Sequence, residues 1–213
     1  IIQLNDHLCR LLEAISQPHD LIMQAPYALP LLSETEVQHL VHDLNSTASD
    51  YPDSKCVHEL FEQWVSVHPN KVALVFNQQS LSYQQLNEKA NQLAHYLVAN
   101  HDIRPDTLIG LCTERSLEMV IGILGILKAG GAYLPLDPEY PQERLSYMLE
   151  DAALSLVLSQ DKLKSVLANF AGKVLNLDEL LNTEVNFCST YQKYNINAGL
   201  SSNSLAYVIY TSG

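Results

Sequence analysis

The chain closes on Thr211-Ser212-Gly213, after the apolar run Leu205-Ala206-Tyr207-Val208-Ile209-Tyr210. A hydroxyl and glycine turn leaving a strand aims several backbone amides at one point, and its Ser and Thr hydroxyls add donors suited to phosphate oxygens. The same tripeptide also makes ordinary turns, and the Walker A spacing with its Lys is absent, so context must decide. His39 and His42, three apart on a predicted helix, can in principle share a metal, but no Cys or third His is spaced beside them in a known ligand pattern. Asp137, Glu139 and Glu143 suggest a carboxylate pair; a capped turn opening a helix explains them more simply, because acids favour helix amino ends. His7, His19, His58, His68, His95 and His101 are scattered, and no nucleophile lies in a G-x-S-x-G context, so a hydrolase triad is not supported. Cys9, Cys56, Cys112 and Cys188 form no C-x-x-C pair, which suits a reducing compartment better than a disulfide framework and is read as cytoplasmic.

The elements that must carry these residues follow from periodicity. Leu4, Leu8, Leu11, Leu12 and Ile15 make an amphipathic stripe that should pack on something, and Gln17-Pro18 ends it. Ser33-Glu34-Thr35-Glu36 has the form of a capping box opening a short helix expected to turn Val37, Leu40, Val41 and Leu44 inward. The polar run Asn45 to Pro52 is the best boundary in the sequence, and the domain junction is placed near Pro52. Val57, Leu60, Phe61 and Trp64 form the next helical stripe; Lys71 to Phe76, a turn at Asn77-Gln78-Gln79, and Leu81-Ser82-Tyr83 read as a hairpin. Leu86, Ala90, Leu93 and Leu97 mark a longer helix.

From Thr107 to Cys112 the chain is too apolar for a strand with one wet face. Ser116 caps the following helix, Gly130-Gly131 stops it, and Ala132 to Leu136 is a second strand, so the segment is a β-α-β crossover with parallel strands. Pro141 suits the first turn of a helix through Leu145, Met148 and Leu149. Leu154 to Leu158 and Val174 to Leu177 read as strands with a short helix around Leu163 to Phe170 between them. After an Asn/Ser-rich connection from Asn182 to Ser204, Leu205 to Tyr210 is expected to be a strand. The fold class is therefore α/β, a largely parallel sheet flanked by helices and preceded by a helical tail and linker, in which ligands collect beyond the strand carboxyl ends.

Composition bounds the function. The chain has 213 residues with 47% hydrophobic and 17% charged, enough to bury a core as one large domain or a small domain plus part of another. Lys plus Arg number 12 against 24 Asp plus Glu, a formal net charge of -12. Such a field repels phosphate backbones and anionic membranes, so no nucleic-acid partner is expected. The longest apolar run, Met119 to Leu127, falls well short of the roughly 20 residues of a membrane span, so no membrane role is expected either. Ile1-Ile2-Gln3-Leu4-Asn5-Asp6 has no initiator Met, basic n-region or cleavage site; the expectation is no secretory signal and a chain cut from a longer one.

Three stretches in order resemble a known family. Leu127-Lys128-Ala129-Gly130-Gly131-Ala132-Tyr133-Leu134-Pro135-Leu136-Asp137-Pro138-Glu139-Tyr140-Pro141 closely resembles the second core motif of the adenylation domains of nonribosomal peptide synthetases. Leu81 to Asn87 is similar to the first, and Leu205 to Gly213 to the opening of the third. Arg115-Ser116-Leu117-Glu118-Met119 and Leu60-Phe61-Glu62 fit the same family. Leu31-Leu32, Glu36, Asn45-Ser46-Thr47 and Tyr51-Pro52 are similar to the linker between a condensation and an adenylation domain. The resemblance implies residues 1–32 as the tail of a condensation domain, 33–52 as the linker, and 53–213 as the N-terminal part of an AMP-binding, adenylate-forming domain.

It also implies a chemistry. An amino-acid carboxylate attacks the α-phosphorus of ATP, giving an aminoacyl adenylate and pyrophosphate with Mg2+ neutralising phosphate charge. The phosphopantetheine thiol of a carrier domain then takes the acyl group. Two anions must meet, so donors are needed where charge builds up; Thr211, Ser212 and Gly213 match the start of the family's phosphate loop, and no catalytic or metal residue is assigned. The loop's later Thr, Gly and Lys, the amino-acid pocket, the catalytic Lys of the mobile subdomain and the condensation domain's histidine motif are not found in the chain, so these 213 residues alone are expected to be inactive and poorly soluble. Two other readings stand beside this one: an acyl-CoA synthetase-like adenylate former, and a non-catalytic truncated piece that docks through its first helix.

Overall fold

The computed structural model describes residues 2–16, 31–181 and 190–211. Contacts group the chain into two units, Ile1–Tyr51 and Pro52–Gly213.

In the first unit the leucine spacing forms helix α1 (Ile2–Ile15), with Leu4, Leu8, Leu12 and Ile15 exposed; its expected stop at Gln17-Pro18 lies outside the described residues. The Ser33 box is formed as its sequence requires. The Glu36 amide donates to Ser33 Oγ at 3.1 Å, the Ser33 amide donates to Glu36 Oε2 at 2.8 Å, and α2 (Glu34–Val37) begins there. The helix then continues as a π-wound turn, Gln38–Asp43, closed by bonds such as Leu44 N to His39 O at 3.0 Å. The expected inward face fails at this point. With an extra residue per turn, Val37, Leu40, Val41 and Leu44 no longer share one line; all four are exposed.

The second unit opens with α3 (Val57–Val67). Its inward side is His58, Phe61, Glu62 and Val65; Val57 and Trp64, expected in the buried stripe, face solvent instead. A hairpin follows, β1 (Val72–Phe76) antiparallel to β2 (Gln79–Ser82). Asn77 and Gln78 turn it at positive φ, 44° and 65°, the geometry that matches strand twist. Ser82 ends β2 by capping α4 (Tyr83–Asn100): Gln85 N donates to Ser82 Oγ at 3.2 Å, and Ser82 N to Gln85 Oε1 at 2.9 Å. Tyr83 therefore belongs to the helix, not to the strand expected from its sequence.

The parallel sheet is built by β3 (Leu108–Cys112), α5 (Leu117–Ala129), β4 (Ala132–Pro135), α6 (Gln142–Asp151), β5 (Leu156–Ser159), β6 (Lys173–Asn176) and α7 (Leu177–Leu181). Strand order is β4-β3-β5-β6, with Leu108 opposite Ala132, Gly110 opposite Val157, and Leu156 opposite Lys173. Both faces are covered. Ile109, Leu111, Leu156 and Leu158 pack under α4, α5 and α7, while Cys112, Leu134 and Val157 pack under α6; this is why the strands read as unbroken apolar runs. Between β5 and β6 the expected helix is reduced to a 3-10 turn, Asp161–Leu163, followed by turns. Leu177, expected at the end of a strand, starts α7. No helix among the described residues is long and apolar enough to cross a membrane.

Gly130 ends α5 at φ 96°, a left-handed conformation that favours glycine. Just before it lies Lys128, whose side chain has no solvent exposure and whose Nζ donates to Glu62 Oε1. The ammonium also sits 5.9 Å over the Phe61 ring and 3.4 Å from Asn195 Oδ1. That same oxygen accepts from Asn87 Nδ2 at 2.9 Å and Asn91 Nδ2 at 3.0 Å. One amide thus clasps the 190–200 connection to α4 and α5. Burial pulls the Lys128 pKa down, and the Glu62 carboxylate opposes the shift.

The 205–210 segment is less regular than its sequence suggests. It meets the β4 edge at a single parallel bridge, Tyr133 with Tyr207: Tyr133 N donates to Ala206 O and Val208 N donates to Tyr133 O, both at 3.1 Å. A longer ladder is blocked on both sides. Two residues on, the next position facing that edge is Pro135, which has no amide hydrogen; two residues back, Gly131 N is already bonded to Ile126 O at 3.0 Å.

Two outcomes follow. Lys128→Met should destabilise the protein by about 3 kcal/mol in urea unfolding, because a carboxylate loses its buried partner, and adding Glu62→Gln should recover much of the loss; a neutral single variant would show that the pair holds nothing. In the first unit, bonds to Ser33 and His7 hold the Glu36 carboxyl down to about 2, against an ordinary value of 4.5. A depressed carboxyl stabilises the fold above its unfolded pKa and loses that contribution as pH falls through its folded one. Amide exchange of residues 33–37 should therefore accelerate as pH drops from about 4.5 towards 2 beyond the intrinsic trend, and Glu36→Gln should remove that dependence while keeping the cap.

Candidate functional site

The order β4-β3-β5-β6 sends one crossover from β3 outward to β4 and the next from β4 back across β3 to β5. Loops leaving the carboxyl ends of β3 and β4 therefore part from each other, and such a reversal leaves a crevice above the sheet. A cleft of about 680 Å3 lies there. Thr113, Glu114 and Arg115 from the end of β3 line it, with Leu136 to Tyr140 from the end of β4 and Ile209 and Tyr210 from the bridged segment. Residues distant in sequence meet because parallel strands place all their carboxyl ends on one side.

Thr211 follows directly from Tyr210 and is exposed. Ser212 and Gly213 lie outside the described residues.

The walls are held by local bonds. Gln160, after β5, accepts the Glu114 amide at 2.8 Å through Oε1 and donates to Ser116 Oγ at 3.4 Å through Nε2. Ser116 in turn caps α5 through Met119 N at 3.2 Å. Glu114 is paired with Lys162. The Arg144 guanidinium stacks 4.1 Å over the Tyr140 ring, and Tyr210 donates its hydroxyl to Asp151. Among the described residues Arg115 forms no ion pair; it lines the cleft with Glu114, Asp137 and Glu139. Sequence reading did not assign Arg115 to the site; its place three residues after a buried strand was the available signal.

The other candidates fall away on geometry. Asp137 Oδ1 accepts the Glu139 amide at 2.9 Å, and Glu143 occupies the first turn of α6; these acids close a turn and open a helix. His39 lies 3.6 Å from Asp43 in an exposed pair, and no group of three or more metal-ligating side chains occurs among the described residues. Cys112 is buried at the end of β3, does not line the cleft, and burial pushes its thiol up to about 11, away from thiolate formation. The rim of the cleft carries one cation, Arg115, beside the carboxylates of Glu114, Asp137 and Glu139, and the exposed Thr211 follows Tyr210 at its edge.

Comparison with known proteins accounts for this plan. The profile of the AMP-binding enzyme family matches residues 61–213, and the chain belongs to that family. A linear gramicidin synthase of Brevibacillus parabrevis is 46% identical over 186 residues, covering 87% of this chain and 4% of that protein. Tyrocidine synthase 3 of Brevibacillus parabrevis is 44% identical over 199 residues, covering 93% of this chain and 3% of that one. Among solved structures, the nonribosomal peptide synthetase FmoA3 in its AMPPNP-bound form superposes with a TM-score of 0.73 at 30% identity, covering 99% of this chain and 21% of that chain. The chain thus spans less than a tenth of the two synthases and about a fifth of the solved synthetase.

Proposed function

We propose that this chain is part of a nonribosomal peptide synthetase module that activates an amino acid with ATP. The carboxylate oxygen attacks the α-phosphorus, the bond to the bridging oxygen breaks, and pyrophosphate leaves; the aminoacyl adenylate then passes its acyl group to the phosphopantetheine thiol of a carrier domain, releasing AMP. In this reading residues 1–32 are the tail of a condensation domain, 33–52 the linker, and 53–213 the N-terminal part of the adenylation domain, in a cytoplasmic enzyme. The condensation and carrier domains of the same synthetase are its partners.

One observation carries the reading. The segment ending at Thr211 runs parallel to β4, and its last residues, Ile209 and Tyr210, line the cleft beyond the strand carboxyl ends. A turn leaving that point brings amides and hydroxyls to the crevice, where Thr211, Ser212 and Gly213 serve to cradle ATP phosphates. FmoA3, solved with AMPPNP bound, supports the choice of nucleotide. The peptide synthases among the relatives favour an amino acid over the fatty acids of an acyl-CoA synthetase. Mg2+ bound to the nucleotide's phosphates and water would supply charge neutralisation.

In a synthetase module carrying this sequence, Thr211→Ala should lower amino-acid-dependent pyrophosphate exchange by roughly tenfold through loss of a hydroxyl bonded to a charged oxygen. A polypeptide of only these 213 residues should show no exchange. Undiminished exchange in the variant would remove Thr211 from the cradle, and robust exchange by the short polypeptide would contradict the division of labour proposed for the domain.

A further inference from the structure

Tyr210 stands one residue before Thr211, and a side chain holds it in place. Among the described residues the last backbone bond of the segment is Val208 N to Tyr133 O, at 3.1 Å, and Pro135 has no donor for another rung. Two residues of strand would be left to swing. The Tyr210 hydroxyl instead donates to Oδ2 of Asp151, the last residue of α6. Its ring stands edge-on to Tyr147, with centroids 6.2 Å apart, and packs against the core under α6.

Asp151 is an odd choice for its position on the helix alone. A helix carboxyl end carries partial negative charge and favours cations, yet the last turn of α6 contains Glu150 and Asp151 and no basic residue. Tyr210 accounts for the acid: a carboxylate acceptor makes a hydrogen bond roughly twice as strong as a neutral one. The same bond keeps the phenol a donor, since acceptance by Asp151 pushes its pKa up to about 12.

We infer that Asp151 is a positioning residue for the phosphate turn, fixing through the Tyr210 hydroxyl the point from which Thr211 and the residues after it leave the sheet. The inference rests on the functional reading above. It gives α6 a task beyond covering the sheet, because the helix end becomes the second anchor of a segment that the β4 edge grips at one residue. Donors that hold phosphate oxygens contribute to ATP binding only if their places are set beforehand, so a loosened departure point weakens binding of the nucleotide.

The test compares Asp151→Ala, Asp151→Asn, Tyr210→Phe and the Asp151→Ala/Tyr210→Phe double variant in a synthetase module carrying this chain, by steady-state pyrophosphate exchange. Asp151→Ala and Tyr210→Phe should each raise KM for ATP about tenfold, the scale of one hydrogen bond to a charged group, with KM for the amino acid unchanged. Asp151→Asn, whose amide oxygen still accepts but more weakly, should fall between Asp151→Ala and the parent, and the double variant should be no worse than either single one. Losses that multiply in the double variant, an Asn variant as poor as Ala, or amino-acid KM rising in step with that for ATP would overturn the inference. Tyr210→Phe removes only a hydroxyl, so it reads the same bond should Asp151→Ala fold poorly. An active parent with unaffected variants sinks the role of Asp151 alone; a parent with no exchange sinks the functional reading and this inference together.

Discussion

Two backbone hydrogen bonds on Tyr133 fix the direction in which the 205–210 segment leaves the sheet. One to Ala206 and one from Val208 lay the 205–210 segment parallel to β4, and parallel pairing is what sends its last residues to the end of the sheet where β3 and β4 also open. An antiparallel pairing at the same edge would deliver Thr211 to the opposite end, away from the cleft. The grip is short because Pro135 and the helix stop at Gly130-Gly131 occupy the neighbouring positions. The motif that ends α5 and starts β4 therefore also limits how the following segment is held.

The polar interior serves the same placement. Asn195 Oδ1 collects bonds from Asn87 and Asn91 and lies 3.4 Å from the Lys128 ammonium, so the long connection after α7 is tied down before it returns to β4. Lys128 is expensive to bury, and Glu62 and the Phe61 ring offset that cost. The rim carries charge of both signs: Glu114 is paired with Lys162, while Arg115 has no ion-pair partner among the described residues and lines the cleft with Asp137 and Glu139.

The α/β plan was legible because both sheet faces are covered. Apolar runs at Leu108–Cys112 and Leu156–Ser159, the Ser116 cap and the Gly130 stop carry that information locally. The misread elements depend on facts that periodicity does not contain. Val37, Leu40, Val41 and Leu44 keep helical spacing in sequence, but the π-wound turn at Gln38–Asp43 removes their common face. Leu205 to Tyr210 has strand composition, yet the length of its ladder is decided by a proline on a different strand. Of the cleft, the segment Leu205 to Tyr210 that reaches its edge could be seen from residue types. Arg115, Asp151 and Gln160 could not, since their relevance arises only when parallel strands bring their loops together.

The most direct measurement of the central claim is a crystal structure of the synthetase module containing this chain, grown with a non-hydrolysable ATP analogue. The account predicts phosphate oxygens about 3 Å from the amides and hydroxyls of Thr211 and Ser212, in the crevice above β3 and β4. Phosphates bound elsewhere, with the Thr211 turn directed away from that crevice, would contradict it.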